Sequence, residues 1–228
     1  LLWLPIETLS LQLTVAHVDR DDSCCAADAT QTAAVTDQLI TQGLPVPKND
    51  AFNYKNNVNV DSNFEMESDA VNVKLDYELD TAVLTSLTAW NDYDYKTSTD
   101  AERSELDVLG IIDDKYSGEQ YSQEFRLTSD LDGAWQYMAG AFYAYEERTR
   151  GGKDEAPIVI GDDIIAVGGA ATGLGPIFGS LVQPGDTVFF NNTWKTETYA
   201  LFGQSTYKIT EDWAATLGLR YTTETKDA

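Results

Sequence analysis

The chain has 228 residues, enough for one or two domains, and its 38 acidic against 15 basic residues leave a net charge of −23. That sign excludes nucleic acid, since a phosphate backbone selects the opposite charge. An aromatic content of 11% excludes an acidic disordered chain, and no apolar run approaches the ~18 residues of a membrane-spanning helix, a test to which β-barrels are blind.

The first residues, Leu1, Leu2, Trp3, Leu4 and Pro5, form an apolar stub too short for a signal peptide, and no initiating Met precedes them. The chain stops at Lys226, Asp227 and Ala228, directly after a strongly patterned segment. Both ends read as cut, and an internal fragment of a longer chain is expected.

Alternation at period two organises what lies between. Leu9, Leu11, Leu13, Val15 and His17 alternate with Ser10, Gln12, Thr14 and Ala16. Val71, Val73, Leu75 and Tyr77 alternate with Asn72, Lys74 and Asp76. Tyr121, Phe125 and Leu127 stand against Ser122, Glu124 and Arg126. Trp135, Tyr137, Ala139, Ala141, Tyr143 and Tyr145 share a face, opposed by Gln136, Met138, Gly140, Ala144 and Glu146, a set that Phe142 breaks. Trp213, Ala215, Leu217, Leu219 and Tyr221 alternate with Ala214, Thr216, Gly218, Arg220 and Thr222. Side chains two apart on a strand share a face, so each segment predicts a strand with one apolar and one polar side. Residues 83–95 and 199–207 predict strands with mixed faces, whose inside and outside stay open.

The connections alternate too. Short turns are expected around residues 5–7, 78–80, 129–133 and 210–212, and long polar or Gly-rich stretches at 20–62, 96–117 and 150–189. In an up-and-down antiparallel sheet this gathers every long loop at one end, as in outer-membrane barrels with their short periplasmic turns. A compact soluble domain rarely holds loops beyond ~12–15 residues, and strands of about 13–16 residues exceed its usual ~5–6. Trp135 and Trp213 begin their strands while Tyr143, Tyr145 and Tyr221 sit farther along the same faces, the placement of two interfacial girdles. The spacing Trp135, Gly140, Tyr143, Glu146 recurs as Trp213, Gly218, Tyr221, Glu224, one strand solution used twice.

At these residues the chain resembles the barrel of TonB-dependent receptors. The run Tyr121, Ser122, Gln123, Glu124, Phe125, Arg126, Leu127, Thr128, Ser129, followed by a turn and Trp135 through Gly140, Ala141, Phe142, Tyr143, is similar to a strand pair common in that family. So are Thr198 to Tyr207 with Leu217, Gly218, Leu219, Arg220, Tyr221 and Glu224, and Leu84 to Trp90 with Asp92, Tyr93 and Tyr95. The resemblance is good from about residue 63 onward and loose before it. It implies an all-β, antiparallel up-and-down transmembrane β-barrel wall with long extracellular loops, of which about eight strand segments out of about 22 are present. Residues 1–228 would then be one partial barrel domain, without the plug, the TonB box or the remaining strands. Further implications are a location in the bacterial outer membrane, contact with its lipid, a monomeric barrel, coupling to the TonB complex through a plug, and uptake of a scarce nutrient such as a ferric siderophore. Two other readings stay open: a small barrel of about eight strands serving as anchor, adhesin or pore, and a soluble all-β carbohydrate-binding module.

Other motifs carry less. The adjacent Cys24 and Cys25 allow a strained vicinal ring, two thiols, or bridges to parts of a longer chain. Gly161 through Gly168, Gly173 and Gly175 lack the Lys of a phosphate-binding loop, so a flexible extracellular loop is expected there. Asp19, Asp21 and Asp22, with Asp113 and Asp114, are acidic clusters able to attract a hard cation, but solvated loop charge accounts for them. His17 is read as a boundary residue on the apolar face. Residues 30–42 predict a short helix on the first long loop, with Ala33, Ala34, Asp37 and Ile40 at helical spacing. No Ser/His/Asp or Cys/His set stands out, so neither enzyme activity, a cofactor nor a metal centre is expected, and the ligand-binding residues stay unassigned.

Overall fold

The computed structural model describes residues 1–24, 33–44, 46, 58–129, 133–151, 157–173 and 175–228. Its body is one antiparallel sheet. Eight strands form a path: β1 (Leu2–Ile6), β2 (Leu9–Asp22), β3 (Asn63–Glu78), β4 (Ala82–Asp100), β5 (Leu109–Ser129), β6 (Trp135–Arg150), β9 (Asn192–Lys208) and β10 (Ala214–Asp227), each paired with the next. Two short strands, β7 (Ile158–Ile160) and β8 (Thr187–Val188), lie off this path, β7 on β5 and β8 on β7. Among the described residues the sheet is open, ending at β1 and β10.

The up-and-down order and the strand faces agree with the alternation. Register places Leu13, Val73, Thr88, Gln123, Tyr143 and Tyr199 in one row across the sheet, and Leu11, Leu75, Ser86, Phe125, Ala141, Leu201 and Tyr221 in the next. This face exposes large apolar side chains such as Leu217 (68%) and Leu219 (75%), an area that water would leave unstable and lipid satisfies. The opposite face carries the ion pairs Lys74–Asp76, Arg126–Glu124 and Lys226–Glu224, as a wet lumen requires. The two mixed segments now have sides: Leu84, Ser86, Thr88 and Trp90 face outward with Tyr199, Leu201 and Tyr207, while Thr85, Leu87, Asn91, Tyr93 and Tyr95 face the lumen with Ala200 and Phe202. Three polar residues on the lipid side satisfy one another: Thr88 Oγ1 donates to Gln123 Oε1 (2.6 Å), and Gln123 Nε2 donates to Ser86 Oγ (3.0 Å). Phe142, the break in the polar set, lies on the lumen side with Phe202, both rings beneath the Arg220 guanidinium.

The outer aromatic belt descends across the wall. Trp90 pairs with Tyr121 and Tyr121 with Tyr145, then Tyr143 pairs with Tyr199, and Tyr221 pairs with Leu201, two residues below Tyr199. Two such two-residue drops over four strand pairings make about one residue per strand. With about 3.3 Å per residue and about 4.8 Å between strands, that is a tilt near 35°, in the range for membrane barrels. Along β10 the belts are Trp213, immediately before the strand, and Tyr221, eight steps apart, roughly 20 Å of membrane height at that tilt. Two residues beyond four of these outer aromatics stands a carboxylate: Asp92, Glu119, Glu147 and Glu197 after Trp90, Tyr121, Tyr145 and Tyr199. Trp90 Nε1 donates to Glu119 (2.9 Å) and the Tyr145 hydroxyl to Glu147 (2.6 Å).

Several local expectations change. Strands β2, β3, β6 and β10 have the anticipated 14 to 16 residues, while β4, β5 and β9 run longer, to 19, 21 and 17. The stretch 96–117 is mostly strand, since β4 reaches Asp100 and β5 begins at Leu109. The Gly-rich stretch is no loose loop but a helical hairpin, α2 (Ile164–Thr172) and α3 (Gly175–Leu181), turned by Gly173 at φ 67°. The expected first-loop helix forms as α1 (Ala33–Gln42), with Val35 and Leu39 buried, Ala34 packed against the same cluster and Ile40 62% exposed. The first turn falls at Glu7 and Thr8, one residue later than 5–7. In the last turn the Thr210 hydroxyl accepts from the backbone N–H groups of Asp212 and Trp213. Residues 30–32 and 130–132 of the expected helix and turn lie outside the described residues. No described helix is long and apolar enough to cross a membrane, which says nothing about crossing by strands.

Candidate ligand-binding face

At the outward end of the lumen face, register gathers aromatic and cationic side chains. Val18, Ser68, Tyr93, Gly118, Arg148 and Trp194 form one cross-strand row, and Arg20, Met66, Tyr95, Tyr116, Arg150 and Asn192 form the next. Three of the chain's six arginines stand in these two rows. Tyr95 and Tyr116 stack with centroids 4.6 Å apart, Tyr93 follows at 6.2 Å from Tyr95, and Phe64 lies 5.5 Å from Tyr95. The Tyr93 ring crosses β5 at Gly118, where a Cβ would come within 2.5 Å of it.

Charge is balanced locally. Asp114, 2% exposed, receives Arg150 through Nη2 (2.8 Å) and Nε (3.2 Å), and the Tyr116 hydroxyl (3.1 Å). Arg150 also lies over the rings of Phe190 (4.3 Å) and Tyr116 (5.3 Å). The Asp114 hydrogen bond raises the Arg150 pKa further and keeps it cationic. Burial pushes the Tyr95 and Tyr116 hydroxyls up, so both remain donors at neutral pH. Arg148 Nε donates to Glu146 (2.8 Å), and Arg20 contacts Asp22 and covers Phe64. Stacked phenols interleaved with fixed guanidinium groups form a surface for a flat, electron-rich, anionic ligand.

A cap stands beyond the outward ends of β4 and β5, built by all three long connections. Val35 and Leu39 come from the first, Leu106 and Val108 from the second and Ile160, Ile164 and Val167 from the third, in one buried cluster. Carboxylates staple it: Asp163 accepts Gln42 Nε2 (2.7 Å) and the Asp107 N–H (3.0 Å), and Asp107 accepts the Asp162 N–H (3.2 Å). Asp100, 1% exposed, accepts the N–H groups of Glu102, Arg103 and Ser104, while Glu102 accepts those of Val108 (2.9 Å) and Leu109 (3.0 Å). Burial, with Asp100 beside it, raises the Glu102 pKa to about 7.

The acidic clusters resolve differently from loop charge. Asp19, Asp21 and Asp22 belong to β2, and Asp114 is sequestered with Arg150 while its neighbour Asp113, at φ 49°, is exposed. An open hollow of about 600 Å³ is lined by Asp19, Asp21, Glu65, Glu67 and Asp94, with Lys96 and Lys115. Those carboxylates and lysines occupy outward-facing positions of their strands, and Arg20, Met66, Tyr95 and Tyr116 of the lumen row also border the hollow. His17 Nδ1 lies 2.9 Å from Asp69 on the same outward face, with a Glu67 oxygen inside a 4.8 Å triplet of donors. Cys24 is disulfide-bonded, and Cys25 lies outside the described residues.

A sequence profile described as TonB dependent receptor-like, beta-barrel matches residues 26–228. The chain belongs to the TonB-dependent receptor β-barrel family. This receptor wall also superposes on a solved structure, BauA, the ferric preacinetobactin receptor from Acinetobacter baumannii, with a TM-score of 0.57 at 11% identity. The match covers 97% of this chain and 32% of that one, so the chain spans about a third of that receptor's length. At that identity the likeness establishes the fold. A sequence comparison with curated proteins finds no match. The TonB-dependent receptor barrel is an outer-membrane structure, which fixes the outward face as the lipid face, and the family is one of receptors rather than enzymes.

Proposed function

We propose that this chain is eight strands of the barrel wall of a longer TonB-dependent receptor, and that the whole protein imports a ferric siderophore. The observation that carries the reading is the pair of adjacent rows that sets Tyr93, Tyr95 and Tyr116 beside Arg148 and Arg150 at the outward end of the lumen face. Iron chelates of this class present delocalised rings and net negative charge, which stacked phenols and guanidinium groups recognise together. An open sheet cannot stand in hydrocarbon, so further strands must satisfy the edges of β1 and β10, and this disfavours an eight-stranded closed barrel. In this reading the ligand binds outside, a plug elsewhere in the protein rearranges under pull from the TonB complex, and the ligand passes to the periplasm.

The test is binding of ferric siderophores to the purified full-length receptor, read by tryptophan quenching, together with growth under iron limitation. Y95A and R148A are expected to weaken binding at least tenfold, the size of one lost contact of about 1.4 kcal/mol. Absence of binding to any ferric chelate, with unimpaired growth of a deletion strain, overturns the substrate class.

A further inference from the structure

Inside the aromatic belts the lipid face is not smooth. A hollow of about 380 Å³ opens between β5, β6, β9 and β10, lined by Phe125, Ala141, Tyr143, Tyr199, Leu201 and Tyr221. Register explains its shape. Phe125, Ala141, Leu201 and Tyr221 are neighbours in a single cross-strand row, so one methyl group lies low between bulky side chains. One row toward the short turns, just beyond the hollow, two further small residues, Ala139 and Gly203, are paired. Toward the outside, Tyr143 and Tyr199 close the trough with ring centroids 4.9 Å apart.

We propose that this trough is a lipid site that retains one acyl chain of an outer-leaflet lipid. The trough is continuous with the surface that lipid already covers, and its closed end lies at the outer belt, so a chain reaches it from the outer leaflet. From Tyr143 to Ala139 is four residue steps, about 13 Å along the strand and about 11 Å of depth at the wall's tilt, which fits within the roughly 15 Å that one leaflet contributes to a ~30 Å core. On a flat wall a lipid chain touches protein on one side and exchanges with equivalent neighbours. In the trough it meets floor and both walls, and the added dispersion contacts slow its departure. Its headgroup would sit at the level of Glu147, Lys195 and Glu197, where the Lys195–Glu147 pair (3.2 Å) offers both a cation and an acceptor.

Native mass spectrometry of the full-length receptor, extracted from its own outer membrane in mild detergent, tests this. Wild type is expected to keep a one-lipid adduct through detergent exchange. A141F fills the floor and loses it, and Y221A, which removes a wall on a different strand, sheds it at lower activation. Siderophore binding serves as a separate readout and is expected to be unchanged in both. A lipid-free wild type, or an adduct of equal strength in both variants, overturns the site, and an adduct with the mass of an inner-leaflet phospholipid overturns its leaflet.

Discussion

Arg150 and Asp114 show how a strand hides its chemistry from a linear reading. Asp113 and Asp114 look like one acidic pair, yet consecutive residues of a strand point to opposite faces, and only Asp114 turns inward to meet Arg150. Arg148 and Arg150 continue the even-numbered polar set of Gly140, Ala144 and Glu146, but beyond Tyr145 the odd positions are Glu147 and Thr149, so alternation no longer marks a face there. Replacing Arg150 by Ala leaves a buried carboxylate with the Tyr116 hydroxyl alone. Because the guanidinium is itself a quarter exposed, the expected cost is about 2–3 kcal/mol, below the full penalty for breaking a buried pair, and it is measurable by thermal or denaturant unfolding of the receptor. Tyr93 and Gly118 form a second unit. Gly118→Ala is expected to displace the ring at a cost of about 1 kcal/mol, and Tyr93→Ala in the same chain to remove that cost, as a double-mutant cycle would show.

Among the elements, strands and short turns were legible because period-two alternation survives wherever one face meets lipid. It fails above the belt, where both faces are wet, and there residues 96–117 look like a loop although most of them are paired. The helical hairpin was obscured by its glycines, which argue against a helix unless tertiary contacts supply what propensity lacks; here Ile164 and Val167 insert into the shared core. The second connection carries a pH dependence. Its Glu102 has a folded pKa raised to about 7, so the docked loop binds this proton more tightly than the unfolded loop does. The corresponding stability is present below the ordinary carboxylate range and is lost as pH rises through about 7. The protection factors at Val108 and Leu109, with the intrinsic base catalysis of exchange divided out, should therefore be higher at pH 5 than at pH 8, and Glu102→Gln should flatten that difference. At the end of β6, Gly151 has φ 79° and stands where a Cβ would lie 1.6 Å from the Phe190 carbonyl oxygen. Gly151→Ala should therefore loosen the third connection, seen as faster proteolysis there, while the rest of the barrel keeps its heat resistance.

For the whole molecule, sidedness is the property that sequence conveyed most completely, and adjacent positions test it. Leu217 lies midway between Trp213 and Tyr221 on the lipid face, while Thr216 beside it faces the lumen and bonds Thr206 at 2.9 Å. Leu217→Arg is expected to destabilise the folded receptor by roughly 2–4 kcal/mol in a bilayer. Thr216→Arg should cost under about 1 kcal/mol, the worth of one exposed hydrogen bond. Equal penalties in a refolding titration in lipid vesicles would mean that the two faces have been assigned the wrong way round.

The descent of the aromatic belt by about one residue per strand reaches beyond these eight strands. A staircase wound round a cylinder comes back beneath its own first step, lowered by the sum of all its risers. Whatever strands complete the circuit share that total, so the offset at the closing seam, the girth of the pore and the lean of every stave are not independent choices. In the slant of a few tyrosines, this stretch of wall already carries the pitch of the cylinder it belongs to.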